Sequence, residues 1–180
     1  MPRVIFLTPV FCLLEFMDRL WAPWRMGYIV NNSQSQTGCF LCEALVQKDD
    51  RKAYILHRAK QCYVIMNLYP YNNGHLLVVP NLHVADLDLL KADGFCELMS
   101  MTQAAVRILK QDMCPGGFNV GINIGKVAGA GLPEHLHIQI VPRWDGDTSF
   151  ITVFDGARVM PELIDGTYVR LKPYFDQLRD

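Results

Sequence analysis

Residues 134–142 read Glu-His-Leu-His-Ile-Gln-Ile-Val-Pro, alternating polar and apolar side chains with a period of two. That period belongs to an extended strand with one face on a core. On such a strand His135, His137 and Gln139 share one face, while Leu136, Ile138 and Ile140 share the other. Groups two residues apart stand about 6.5–7 Å from each other along a strand, so two imidazoles and an amide project together. The chain of 180 residues holds only five histidines, and two at this spacing ask for more than packing. Exposed or core-satisfied histidines are the simpler alternative.

Working outward, short β-branched or aromatic runs at 53–56, 62–66 and 75–79 are separated by turn residues, among them Tyr69-Pro70-Tyr71-Asn72-Asn73-Gly74. Three adjacent strands of this kind predict an antiparallel meander. From 93 to 112 the apolar positions Phe95, Leu98, Met99, Val106 and Leu109 fall near helical spacing, which predicts one long amphipathic helix ended by Pro115-Gly116-Gly117. A further strand is predicted at 118–124, before the strand at 135–141, and a helix near 168–178. A short helix or turn at 38–47 follows the polar loop 31–37. The expected fold class is α+β: an antiparallel sheet of about five strands with the main helix covering one face.

The length suits one domain, and 51% hydrophobic against 19% charged residues excludes a disordered or low-complexity chain. A net charge of −1 gives no general attraction to a polyanion, so nucleic acid is not an expected partner. Cys62, Cys96 and Cys114 lie singly in apolar surroundings and read as buried small hydrophobes in a reducing, cytoplasmic compartment, without a disulfide framework. Residues 1–16 are an apolar lead, with Arg3 before the run 4–14 that contains Cys12; the run is too short to span a bilayer. No small-x-small cleavage site follows it, and Met17 offers an alternative start, so the lead reads as a misassigned or non-functional segment, with packing or membrane direction as alternatives. Residues 17–180 are then the catalytic domain, and no membrane partner is expected.

His-x-His on a strand is also a metal-ligand pattern. A cupin would want a Glu soon after the second His, where Val141 and Pro142 stand, and a zinc deaminase would want His-x-Glu with Pro-Cys-x-x-Cys. Neither set is present. Before the strand, Asn123-Ile124-Gly125 and Gly129-Ala130-Gly131 let backbone amides approach an anion, with Lys126 adding charge. A phosphate group held within reach of an imidazole nucleophile is the chemistry this arrangement suggests.

Asn123-x-Gly125, the small-residue loop and His135-x-His137-x-Gln139 followed by Val141-Pro142-Arg143-Trp144 resemble the histidine-triad superfamily of nucleotidyl hydrolases and transferases. Upstream, Asn67 to Pro80 with His83 resembles that superfamily's nucleoside-binding segment, and the likeness runs in order from about residue 17 to about 150. The resemblance implies that His137 attacks the α-phosphorus of a nucleotide and forms a covalent nucleotidyl intermediate, which water or another phosphate then relieves. It implies that Asn123 and the amides around Gly129, Ala130 and Gly131 hold phosphoryl oxygens, that Asn67 faces the ribose, and that His75 supports the site from behind. It also implies a homodimer that pairs its sheets.

Many members carry a third histidine where this chain has Gln139. An amide binds a phosphate oxygen but cannot deliver a proton, which favours transfer between good phosphate leaving groups. Gln at this position resembles the superfamily's transferases, so the expected reaction is phosphorolysis of a dinucleoside polyphosphate such as diadenosine tetraphosphate. Its partners would be the nucleotide and inorganic phosphate, with Mg2+ on the nucleotide. A hydrolase of dinucleotides or nucleoside phosphoramidates, and a nucleotide-binding module without turnover, are the alternatives. Cys39-x-x-Cys42 with His83 and His135 matches the zinc-bearing relatives as a closed Cys₂His₂ set. Two reduced thiols at a helix start, or a redox pair, are the other readings of Cys39 and Cys42.

Overall fold

Two runs, Cys62–Met66 (β2) and Leu76–Pro80 (β3), are buried at every position, as strands covered on both faces must be. They form the middle of a five-stranded sheet in the computed structural model, which describes residues 38–147 and 160–178. The apolar lead, Met17, Cys12, Trp21, Trp24 and the polar loop 31–37 lie outside the described residues. Ile55–Arg58 (β1), Gly117–Ile122 (β4) and Ile138–Arg143 (β5) complete the sheet in the order β1-β2-β3-β5-β4. Every pairing is antiparallel, and the β1-β2-β3 meander is the one expected from the sequence.

The even positions of β2, β3 and β5 (Val64, Met66, Leu76, Val78, Ile138, Ile140) face one core. Against them lie the 22-residue helix Ala92–Met113 (α3) and the C-terminal helix Ile164–Phe175 (α4), through Leu98, Ala105, Leu109, Tyr168, Leu171 and Phe175. Thr102, also buried, satisfies its hydroxyl by donating to the Leu98 carbonyl at 2.8 Å. The buried stripe of α3 is Leu98, Thr102, Ala105, Ile108 and Leu109. Phe95 and Met99, expected on it, are about 40% exposed. At roughly 100° per residue they sit on the flank of the stripe and not at its centre.

The odd positions Ile55, Tyr63, Ile65, Leu77 and Val79 face a second core, closed by Leu41 and Ala44 of the helix Phe40–Val46 (α1), Ala53 of the short helix Asp50–Ala53 (α2), and Leu132. Both faces are therefore covered, where the sequence suggested a helix on one. Other differences are local. Tyr54 takes a left-handed φ of 56° at the end of α2, so β1 starts at Ile55 and not at 53. β4 ends at Ile122, and α4 starts four residues earlier than expected. Cys62 is buried, but Cys96 and Cys114 are exposed: Cys96 lies on the outer side of α3 and Cys114 caps its end with φ 45°. Trp144 donates its indole N–H to the Met113 carbonyl at 3.3 Å, a packing role. Among the described residues no helix is long and apolar enough to cross a membrane.

The seven-residue α1 is too short to stand alone and is held from outside. Tyr63 donates its buried hydroxyl to the Leu41 carbonyl at 2.8 Å. Arg58 of β1 donates to the carbonyls of Leu45, Ala44 and Gln47 at and just beyond the C-terminus of α1, while its Nε donates to Asp50 at 2.8 Å. Arg58→Ala removes all of these donors together. We expect a loss of about 1–3 kcal/mol, read as a lower urea midpoint with an unchanged slope; an unchanged midpoint would mean that α1 is held without this clamp.

Candidate functional site

A cavity of about 320 Å³ opens over the odd face of the sheet. Phe40, Ala44, Ala53, Ile65, Leu77 and Leu132 give it apolar walls, and Asn67, Tyr69, Tyr71, Gly129, Gly131, His137 and Gln139 line it with polar and small groups. Apolar walls with a few convergent polar groups suit a ligand such as a nucleoside. His137 and Gln139 enter side by side because they precede and begin the same extended run, two residues apart.

The alternation read from the sequence holds for Leu136, Ile138 and Ile140, which are buried, against His137 and Gln139, which are half-buried in the cavity. It fails for His135. β5 begins only at Ile138, and in the irregular approach to it His135 turns away from its neighbours and is fully buried. Its Nε2–H donates to the Pro80 carbonyl at 3.0 Å, which leaves Nδ1 as the nitrogen with the lone pair. Its own carbonyl accepts from His137 Nδ1–H at 2.9 Å. A carbonyl can only accept, so His137 carries its proton on Nδ1 and its lone pair on Nε2. Burial pushes the His137 pKa below the ordinary imidazole value, partly offset by that backbone bond. The result is an imidazole whose neutral form burial favours, with its proton held on Nδ1 and a lone pair on Nε2.

His75 does not line the cavity. It is buried, its ring stacks on Tyr71 with centroids 5.1 Å apart, and its Nδ1 accepts from the Tyr71 backbone N–H at 3.0 Å. The Asn67 amide reaches the same ring at 3.3 Å, so His75 braces two residues of the cavity wall and does not itself face the cavity. The loop before the strand differs from expectation. Residues Lys126–Ala128 form a 3-10 turn, in which the amides of Gly129 and Ala130 already donate to the carbonyls of Lys126 and Gly125, at 3.0 and 3.3 Å. Asn123 donates to the Gly129 carbonyl at 3.2 Å. The loop is thus shaped by its own bonds, with Gly129 at φ 84° where a side chain would be strained, and two of its three amides are not presented to a ligand. Gly129 and Gly131 line the cavity.

Sequence reading missed Phe40, Glu43, Ala44 and Gln47, which bring α1 to the cavity, and Lys52, Tyr69 and Tyr71. Their spacing of three and four along α1 is the signal that could have found the first four.

Behind the cavity, Cys39, Cys42, His83 and His135 place one ligand atom each within 4.8 Å of all the others. Cys39 Sγ lies 3.2 Å from His135 Nδ1, and Cys42 Sγ lies 3.2 Å from His83 Nδ1 and 3.4 Å from His135 Nδ1. A tetrahedral ion bound by sulfur at about 2.3 Å and nitrogen at about 2.0 Å has sulfur-to-nitrogen edges of about 3.5 Å. The lone pair of His135 Nδ1 points into the cluster because Pro80 holds the proton on the other nitrogen, the support a metal-binding imidazole normally has. The four residues fit a metal.

The family model for the HIT domain matches residues 48–146. The AP-4-A phosphorylase of Mycobacterium tuberculosis is 43% identical over 159 residues, covering 84% of this chain and 80% of that protein. An uncharacterised HIT-like protein of Methanocaldococcus jannaschii is 29% identical over 109 residues, 61% of this chain and 81% of that one. A crystal structure of a zinc-bound histidine triad family protein from Mycobacterium smegmatis superposes with a TM-score of 0.62 at 23% identity, covering 79% of this chain and 96% of that one, which shows the same fold. With its HIT-domain match spanning more than half its length, this chain belongs to the histidine triad family, as one of its nucleotidyltransferase or hydrolase enzymes.

Proposed function

We propose that this enzyme phosphorolyses dinucleoside polyphosphates, diadenosine tetraphosphate foremost, through a nucleotidyl intermediate on His137. The observation that carries the reading is the desolvated His137, which lines a nucleoside-sized cavity and has its Nδ1–H held by the His135 carbonyl, leaving the lone pair on Nε2. The likeness to an AP-4-A phosphorylase over most of both chains supports the substrate class.

In the proposed sequence Nε2 attacks the α-phosphorus, the bond from that phosphorus to the bridging oxygen breaks, and ATP departs. The imidazole gains positive charge as the new bond forms, and the His135 carbonyl on Nδ1–H stabilises it. Inorganic phosphate then attacks the same phosphorus and takes the AMP as ADP, returning the lone pair to Nε2. Gln139, beside His137, donates its amide to a phosphoryl oxygen; it supplies no proton, and a departing anionic phosphate needs little. Asn67 would take the ribose hydroxyls, and Mg2+ would travel with the polyphosphate. Cys39, Cys42, His83 and His135 would hold structural zinc. β4 is a sheet edge with Val120 exposed, which suits pairing with a second copy as a homodimer of 17–180, in the cytoplasm.

Incubated with diadenosine tetraphosphate, the enzyme should yield ADP and ATP only when phosphate is added. AMP and ATP without phosphate would make it a hydrolase. His137→Gly should lower turnover by on the order of 10⁴-fold or more while nucleotide still binds; undiminished turnover overturns the mechanism. Elemental analysis of protein purified without added metal should find about one zinc per chain, and chelation should lower its melting temperature. Metal-free protein with the same melting temperature would return Cys39 and Cys42 to being ordinary thiols.

A further inference from the structure

A dinucleoside polyphosphate has two halves, and the 320 Å³ cavity at His137 accommodates one nucleoside. A second cavity of about 430 Å³ adjoins it on the same sheet face, over β5 and the edge strand β4. Gln139 and Tyr71 line both, so the two spaces meet beside the reacting imidazole. From there the second cavity follows β5 to Arg143, four residues or about 13 Å along the strand. Across from them on β4, Asn119 and Gly121 pair with Val141 and Gln139, so their odd-numbered positions face the same side.

The far wall is built rather than incidental. Arg143 is fixed by Asp147 through Nε at 2.6 Å and Nη2 at 2.9 Å, and its Nη1 donates to Asn119 Oδ1 at 2.8 Å. Asp147 offsets much of the guanidinium charge, so this wall offers placed hydrogen-bonding groups more than raw attraction for an anion. Gly121 is the floor opposite Gln139. A Cβ built there meets nothing within 4 Å, and its φ is not in the left-handed region, so neither backbone strain nor a neighbour requires glycine. What the missing side chain leaves is open space next to Gln139.

We propose that this second cavity binds the departing half of the substrate, a nucleoside polyphosphate whose phosphate tail runs along β5 from Gln139 to Arg143. The inference rests on the nucleotidyl-His137 reading and extends it. The first cavity sets which nucleoside is transferred, and the second sets which leaving group the enzyme accepts. It separates substrates by the size of what leaves, with no change at His137.

Gly121→Val, a strand-compatible residue, places a side chain in the second cavity at a position that does not line the first. Two substrates are compared with phosphate as acceptor: diadenosine tetraphosphate, and adenosine 5′-phosphorimidazolide, whose leaving imidazole needs no second cavity. The expected result is a fall of about tenfold or more in kcat/KM for the tetraphosphate and a change of less than about twofold for the imidazolide. Asn119→Asp keeps an acceptor for Arg143 but adds a negative charge where the tail would lie. It should reproduce the selective loss, more strongly at low salt. Equal effects on both substrates in both variants, or none, would overturn the second cavity as a subsite. Inactivity of the unmodified enzyme on both substrates would instead overturn the nucleotidyl-transfer reading, and this proposal with it.

Discussion

The buried His135 is the joint on which the site depends. Its side chain and its backbone are used at once: Nε2–H goes to the end of β3 at Pro80, Nδ1 goes to the thiols, and the carbonyl takes the proton of His137. A fully buried imidazole with any of these nitrogens unpaired would cost on the order of 1–3 kcal/mol, so its orientation is strongly determined. That orientation in turn fixes the backbone at 135, and through it the tautomer of His137. The ring also carries the lowered basicity expected of burial, with the Pro80 bond acting the other way.

The cysteine-histidine cluster reaches the cavity by a second route. Cys39 and Cys42 flank and enter α1, and the residues directly after them, Phe40 and Glu43, line the cavity. The helix that forms the outer wall is therefore tied at its N-terminal end by the thiols and at its C-terminal end by Arg58. A seven-residue helix has little stability of its own, and its position is worth only what these ties supply. One face of the sheet can then be devoted to a ligand because the other, under α3 and α4, carries most of the apolar burial.

The parts of the molecule legible in the sequence are those set by local periodicity. β2, β3 and α3 lie where the short apolar runs and the helical spacing put them, since burial on both faces leaves an unbroken apolar run and burial on one face leaves a period. His137, Gln139 and Asn67 line one cavity and the four cysteine and histidine residues form one cluster, groupings that the motif spacing and family resemblance make legible in the sequence. What the sequence hid is set by long-range geometry. The burial of His135 depends on Pro80, fifty-five residues away, and no period records it. The role of α1 as a cavity wall depends on Arg58 and Tyr63, and a polar helix face reads the same whether it meets solvent or a ligand. The glycine loop illustrates the converse: its composition suggested free amides, but a 3-10 turn uses two of them internally.

Gln139 joins these observations into a chemical constraint. It pairs with Leu77 on one side and Gly121 on the other, in the middle of the sheet face, where a titratable group would sit beside a desolvated His137. A second imidazole there could share a proton with the first, and protonation of either would raise the cost of protonating the other. A neutral amide removes that competition and does not change charge with pH beside His137. It also removes the acid that a poor leaving group needs. On the proposed mechanism, the enzyme is thereby confined to substrates whose departing group leaves without a proton from the enzyme and to acceptors that attack without much help. A polyphosphate tail, or an imidazole protonated by solvent, meets the first condition and inorganic phosphate the second, and an alkylamine or a water molecule meets them far less well.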